Sequence, residues 1–221
     1  MSAFRTLAGL LYRRPIPLFD RLNANVQFRQ AVRTLHGAPQ FQQRQAMYEW
    51  IHRERVSGTP LTYLEFGVYQ GASLRMWCAM DRNPESRFFG FDSFQGLPED
   101  WTADKPAGTF STGVPQIGDD RCRLLMGLFH DTLYPFLAEF QTRGQLVVHI
   151  DCDLYSSALF CLMALDRWLV PGVIVVFDEF YDLQNEFAAY RDWSRAAYKE
   201  CVGLASTAAY RQVALKVCER Q

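Results

Sequence analysis

The sequence predicts an α/β fold, a doubly wound and mostly parallel seven-stranded sheet with an antiparallel C-terminal hairpin and preceding N-terminal helices. Three observations carry this. From Thr62 onward short apolar runs alternate with amphipathic stretches, which is the pattern of βαβ units. Five of those runs end in acids or glycines. The last two, in GLASTAAYRQVALKVCE, follow each other with only a short turn between them.

In chain order, LTYLEFG (61–67) is the first strand, followed by a helix over 73–80 and the strand RFFGFD (87–92). A polar Gly/Pro-rich loop then runs over 93–118, ahead of the strand CRLLMG (122–127) and a helix over 132–140. The strand LVVHID (146–151), a helix over 157–169, the strand VIVVFDE (173–179) and a helix over 185–200 complete the alternation before the hairpin. Upstream, Val26, Ala31, Val32 and Leu35, then Phe41, Met47, Trp50 and Ile51, suit two or three helices broken near residues 36–39. We therefore expect an N-terminal helical segment (1–58) packed on a sheet domain (59–221), one domain in all.

Composition narrows the classes. The 221 residues are 49% hydrophobic and 21% charged, which fits a soluble globular chain and excludes wholesale disorder. The net charge of −1 gives no argument for nucleic acid. It hides an asymmetry: residues 1–58 carry nine Arg against three acids, so a basic segment faces an acidic remainder. Such a segment could touch an anionic partner, a membrane surface or its own acidic body. The six Cys form no C-x-x-C pair and no zinc-spaced cluster, and we read them as reduced thiols in a cytoplasmic protein. No apolar run reaches a membrane span, although a weak interfacial helix over 3–13 is open, as is a homo-oligomer.

In open α/β sheets ligands bind beyond the carboxyl ends of the strands. The first strand offers Glu65-Phe66-Gly67-Val68-Tyr69-Gln70-Gly71, which is not G-x-G-x-x-G and has a carboxylate beside it. A pyrophosphate would disfavour that acid; a cationic, phosphate-free cofactor would tolerate it. Asp92 follows Glu65 by 27 residues and closes the second strand, where an acid accepts ribose hydroxyls or, alternatively, caps the turn FDSFQGLPED. Asp151, with Asp153 two positions on, and the pair Asp178-Glu179 end adjacent strands, so their carboxylates should converge. Like charges that close call for a cation or shifted pKa values, and hard oxygen ligands suit Mg²⁺ or Ca²⁺. Pairing with a distant Arg, or helix capping, is the other reading of these acids.

LEFGVYQGAS, GFDSFQGLPED, GLFHDTL, HIDCDLYSS and PGVIVVFDEFYD together resemble class I S-adenosylmethionine-dependent methyltransferases, with their Rossmann-like sheet. More narrowly they are similar to the metal-dependent macrocin O-methyltransferase family, over residues 60–182. The resemblance implies that Glu65, Gly67 and Gly71 line the methionine end of the cofactor, that Asp92 holds the ribose and Ser93 lies beside the adenosine, and that Phe66, Ser73, Gly127 and Asp151 also bind the cofactor. It implies Mg²⁺ on Asp151, Asp178 and Glu179, with Glu standing where the family commonly has a second Asp. Asp153 would be the base, with Asp151 and His149 as further catalytic candidates; a buried core histidine is the other reading of His149. Tyr155 is open between substrate contact and packing, and Glu186 between capping and the site. The expected acceptor is a small-molecule hydroxyl, on a sugar or natural product, read by the 94–118 loop and N-terminal helices with Trp101, Phe110, Tyr12 or Phe19. Against this stand a nicotinamide oxidoreductase, disfavoured by the missing glycine pattern, and a non-catalytic cofactor-binding module.

Overall fold

The computed structural model describes residues 17–220, with side chains from Asp20 onward. The 3–13 helix, Tyr12 and the Phe19 side chain fall outside the described residues.

Helix α1 (Pro17–Val32) leads through a 3-10 turn to the two-residue strand β1 (Gln40–Phe41) and helix α2 (Arg44–Ile51). Then come β2 (Leu61–Phe66), α3 (Ala72–Met80), β3 (Arg87–Asp92), β4 (Cys122–Met126), α4 (Phe129–Glu139), β5 (Gln145–Ile150) and α5 (Tyr155–Leu165). Strand β6 (Ile174–Phe177), α6 (Glu186–Ala196), β7 (Glu200–Thr207) and β8 (Val213–Cys218) close the chain. One sheet results, ordered β1-β7-β8-β6-β5-β2-β3-β4. Strand β8 runs antiparallel to both β6 and β7; every other pairing is parallel.

The architecture matches the sequence expectation except in strand count: among the described residues there are eight strands, not seven. The addition is β1, whose Gln40 and Phe41 pair with Ser206 and Thr207 of β7. Two residues are too few to show a period-2 pattern.

Alternation along the strands sorts side chains between two cores. Leu64, Phe66, Val148 and Ile150 join a cluster with Leu133 and Leu137 of α4 and Ala158, Cys161 and Leu162 of α5. Tyr63 and Val147 point to the opposite face, into a cluster with Met47, Tyr48 and Ile51 of α2 and Leu74 and Trp77 of α3. Glu65 and His149 share the period of Tyr63 and Val147, so they lie on the α2/α3 face. All six residues of β2 are buried; a central strand covered on both faces reads as a continuous apolar run, and Glu65 is the one carboxylate in it. The register sets Glu65 opposite His149 and Phe66 opposite Ile150, and pairs Ile150 with Phe177. The residues just beyond, Gly67, Asp151 and Asp178, are therefore brought side by side at the point where strand order reverses between β2 and β5.

Candidate active site

A cavity of about 700 Å³ opens over the ends of β2 to β6, within the range of small-molecule sites. Gly67 sits at its centre with φ +93°, and a Cβ there would lie 1.7 Å from the Asp151 carbonyl oxygen. Only glycine lets β2 and β5 close to this distance. Gly71, with φ 74°, is the left-handed residue that opens α3. The Asp92 carboxylate grips the loop between these glycines: Oδ2 accepts the Val68 and Tyr69 N–H groups at 2.9 and 2.7 Å, and Oδ1 accepts the Phe94 N–H at 2.7 Å. The turn role left open for Asp92 is therefore present, while the same side chain lines the cavity with Ser93 and Gly127.

Asp151, Asp153, Asp178 and Glu179 all line the same cavity. Ligand atoms of His149, Asp151 and Asp178 lie within 4.8 Å of one another. Burial, and then the Asp178 charge, hold the Asp151 carboxyl well above its ordinary range. Burial would raise Asp178 too, but the His149 hydrogen bond and charge, Arg44 and Gln212 outweigh it and leave Asp178 lowered. Asp153 has the left-handed φ of 61°, rare for a non-glycine residue and common at functional sites. Burial, then Glu179 and Asp178, push its carboxyl up to about 7. Glu179 Oε2 is buried without a hydrogen-bond partner, a donor left over for a ligand. Two of the three carboxylates expected to hold Mg²⁺, Asp151 and Asp178, share the close group with His149; Glu179 is not in it, although its orphaned oxygen borders the same cavity, and carboxylate oxygens are the donor type that Mg²⁺ takes.

Beneath this floor lies a layer that sequence reasoning did not find. His149 is fully buried and does not line the cavity. Its Nδ1 is 2.8 Å from Tyr63 Oη, and its Nε2 is 3.3 Å from Tyr48 Oη. Tyr63 spends its single hydroxyl hydrogen on Glu65 Oε2 at 2.6 Å, and Tyr48 directs its own to Asp178 Oδ1 at 3.4 Å. With their hydroxyls so directed, both tyrosines are free to accept from His149, an arrangement that favours a ring protonated on both nitrogens. Burial alone would lower its pKa, but Asp178 and Glu65 on either side raise it to about 10. This corrects the catalytic reading of His149: a fully buried ring that does not line the cavity is out of reach of an acceptor's proton.

Other placements differ from expectation. Glu65 is fully buried, held by Tyr63 and by Ser73 Oγ at 2.8 Å, so it lies under the glycine-loop end of the cavity rather than lining it. Phe66 stacks on Phe91 in the opposite core, ring centroids 4.8 Å apart, and offers the cavity no side chain. Tyr155 Oη donates to Asp192 at 3.1 Å and so turns to α6. Glu186 caps nothing on its own helix; it is fully buried and accepts the Glu179 N–H at 3.0 Å, supporting the acid pair from below. The distant Arg foreseen for the acids exists: Arg44, from the first turn of α2, lies 3.6 Å from Asp178 Oδ1. No local motif signals Arg44 or Tyr48, because α2 reaches the site only through the tertiary fold. Trp101 and Phe110 do line the cavity, and Trp101 Nε1 ties the 94–118 loop to Asp182 at 3.2 Å.

The family described as "Methyltransferase domain" matches residues 64–180, the span that holds all five acid- or glycine-bearing strand ends. This chain belongs to that methyltransferase family. Over 146 residues it is 30% identical to the 8-demethyl-8-(2,3-dimethoxy-alpha-L-rhamnosyl)-tetracenomycin-C 4'-O-methyltransferase of Streptomyces olivaceus, covering 56% of this chain and 54% of that protein. The chain thus spans about half the length of that curated relative. Its fold is that of the calicheamicin methyltransferase CalS11, at TM-score 0.63 and 24% identity over 96% of this chain and 90% of that one. The O-methyltransferase TomG from Streptomyces achromogenes, solved with S-adenosylmethionine, superposes at TM-score 0.52 and 13% identity over 87% of this chain and 89% of that one. The likeness read from the strand-end motifs of this methyltransferase is borne out at the level of family and fold. Among its described residues no helix is long and apolar enough to cross a membrane.

Proposed function

We propose that this methyltransferase transfers the methyl group of S-adenosylmethionine to a hydroxyl of a small-molecule acceptor, a sugar or sugar-bearing natural product, with a divalent metal assisting. The observation that carries this reading is one cavity bordered by a glycine loop on one side and by Asp151, Asp153, Asp178 and Glu179 on the other.

The cofactor would lie along the ends of β2, β3 and β4. Its methionine end would sit over Gly67 and Gly71, above buried Glu65 and Ser73, and its ribose at the free lone pairs of Asp92. Ser93, Gly127 and the 94–118 loop would border the adenosine. A sulfonium needs no phosphate cradle, which agrees with the absence of G-x-G-x-x-G. Methyl transfer is an in-line displacement: the acceptor oxygen bonds to the methyl carbon as the carbon–sulfur bond breaks, leaving S-adenosylhomocysteine. Most of the acceleration then comes from holding the oxygen behind that carbon.

Asp153 is the group placed to receive the hydroxyl proton. It lines the cavity, and its carboxyl near pH 7 suits proton transfer at neutral pH. Asp151, Asp178 and Glu179 would hold the metal, which when bound lowers the pKa of an acceptor hydroxyl and orients it. The His149 imidazolium keeps Asp178 ionised and aimed upward, so that residue positions a ligand and does not touch substrate. Calorimetry with S-adenosylhomocysteine, NAD and ATP, with and without Mg²⁺, tests the reading. Binding of the homocysteine analogue alone is expected; tight NAD binding without it would overturn the proposal.

A further inference from the structure

We infer that a second cavity of about 560 Å³ on the far side of Asp178 and Glu179, where polar groups alternate with aliphatic surface, is the subsite for the acceptor's sugar ring, read by Gln42, Gln43 and Arg211. This rests on the methyltransferase reading above and names where the non-reacting part of the acceptor goes.

Position comes first. The two cavities share Arg44, Asp178 and Glu179 and otherwise have separate walls. A cofactor lying over the ends of β2 to β4 fills the first from the glycine-loop side. An acceptor whose oxygen reaches the acid pair must extend the other way, past β6, and the second cavity is the space there. Its floor is tied to the chemistry: Gln212 Nε2 donates to Asp178 Oδ2 at 3.2 Å, and Gln212 Oε1 accepts from Thr207 Oγ1 at 2.8 Å. Asp178 is thereby held by His149 and Tyr48 from one side and by the second cavity's floor from the other.

The lining decides the ligand class. Apart from Ala208 and Ala209, every lining residue is an amide, a guanidinium, a hydroxyl or a carboxylate, and none is aromatic. A planar catechol would find no aromatic face here, whereas polar groups set between aliphatic surfaces suit the hydroxyls and C–H faces of a saturated ring. Nearly all of these residues lie outside residues 64–180 that define the family, where a determinant particular to this chain belongs.

The architecture that assembles the subsite is specific. Strand β1 pairs Phe41 with Thr207, which sets Gln42 and Gln43 beside the β7–β8 turn, two segments about 165 residues apart in sequence. In that turn Ala209 and Tyr210 hold consecutive left-handed φ values of 58° and 55°, strain that side-chain residues adopt only when the surroundings enforce it. Tyr210 anchors the turn by an edge contact to Phe28 of α1, ring centroids 5.9 Å apart, and Arg211 stays exposed at the rim.

Saturation-transfer NMR on the full chain, with and without S-adenosylhomocysteine, would use methyl glycosides of L-rhamnose, D-glucose, D-mannose and D-galactose, with catechol as the planar counterpart. We expect at least one glycoside to bind, Arg211→Ala and Gln42→Ala each to weaken it about tenfold, and Ala208→Trp to abolish it by filling the cavity. Calorimetric affinity for S-adenosylhomocysteine should be unchanged in all three variants, which also reports that they fold. Binding of no glycoside, binding untouched by Ala208→Trp, or catechol displaced by that variant would overturn the subsite. Failure of S-adenosylhomocysteine to bind would instead overturn the cofactor reading, and the glycoside data on free protein would still decide this one.

Discussion

The two sides of the cavity are built in different ways. The cofactor side is local: Gly67, Gly71 and Asp92 fall within 26 residues, and a backbone turn plus one carboxylate makes the whole loop. The acid side is assembled at long range, with Asp178 meeting Arg44, Tyr48, His149 and Gln212 from α2, β5 and the start of β8. Local sites are specified by turn geometry, whereas assembled ones depend on buried electrostatics that neutralise several like charges at once. Substitutions should therefore fail differently: acids that face the cavity on the assembled side in chemistry, and the groups beneath them and the glycine loop in stability first.

The largest expected effect is on chemistry. Asp178→Ala should lower methyl transfer by 10³-fold or more, about 4 kcal/mol of transition-state stabilisation, while affinity for S-adenosylhomocysteine stays within a few-fold. Excess EDTA should reproduce that loss in the wild-type protein. Full turnover in EDTA, or cofactor binding that collapses with Asp178→Ala, would erase the division between the two sides.

Next is the layer below the floor. His149→Phe leaves Glu65 and Asp178 as buried carboxylates without their shared cation, and breaking a buried ion pair on one side costs about 3–5 kcal/mol. Chemical denaturation should show a loss in that range. A loss under 1 kcal/mol would mean that the tyrosines and Arg44 compensate, and that the imidazolium is dispensable.

On the local side, Gly67→Ala places a Cβ 1.7 Å from the Asp151 carbonyl oxygen at a φ of +93°. We expect about 3 kcal/mol of destabilisation, from strain and from forced separation of β2 and β5. Because Asp151 sits on the displaced backbone, activity should fall as well. A variant of native melting temperature would contradict the close approach on which the loop depends.

The sequence carried much of this side and little of the other. Strand identities followed from apolar runs, and the acids at strand ends were legible because charges that close buried strands need a reason. Tyr48, Arg44 and Gln212 were not legible: each lies in an ordinary local pattern, and only the packing of α2 and β8 against β6 brings it to Asp178. Strand β1 was hidden for a related reason, since its two residues pair only because β7 is there. His149 was half legible. A buried core histidine was one of its two readings, but its hydrogen bonds to Tyr48 and Tyr63 come from the packing of α2 and β2 around it, which the sequence does not show.

The finest probe of that proton count is Tyr63→Phe. The hydroxyl passes a hydrogen bond from His149 to Glu65, and the two charged groups are already 3.5 Å apart, Nδ1 to Oε2. Deleting the intermediary lets the imidazolium turn its N–H to the carboxylate directly, so two charge-assisted hydrogen bonds are lost and one direct ion-pair hydrogen bond is gained. The net cost should be about 1 kcal/mol, well below that of His149→Phe, measured by the same denaturation. Were His149 neutral with its lone pair on Nδ1, removing the hydroxyl would set that lone pair against the Glu65 carboxylate. The cost would then approach that of His149→Phe, so the ratio of the two losses reports whether a cation links the cofactor side to the acid side.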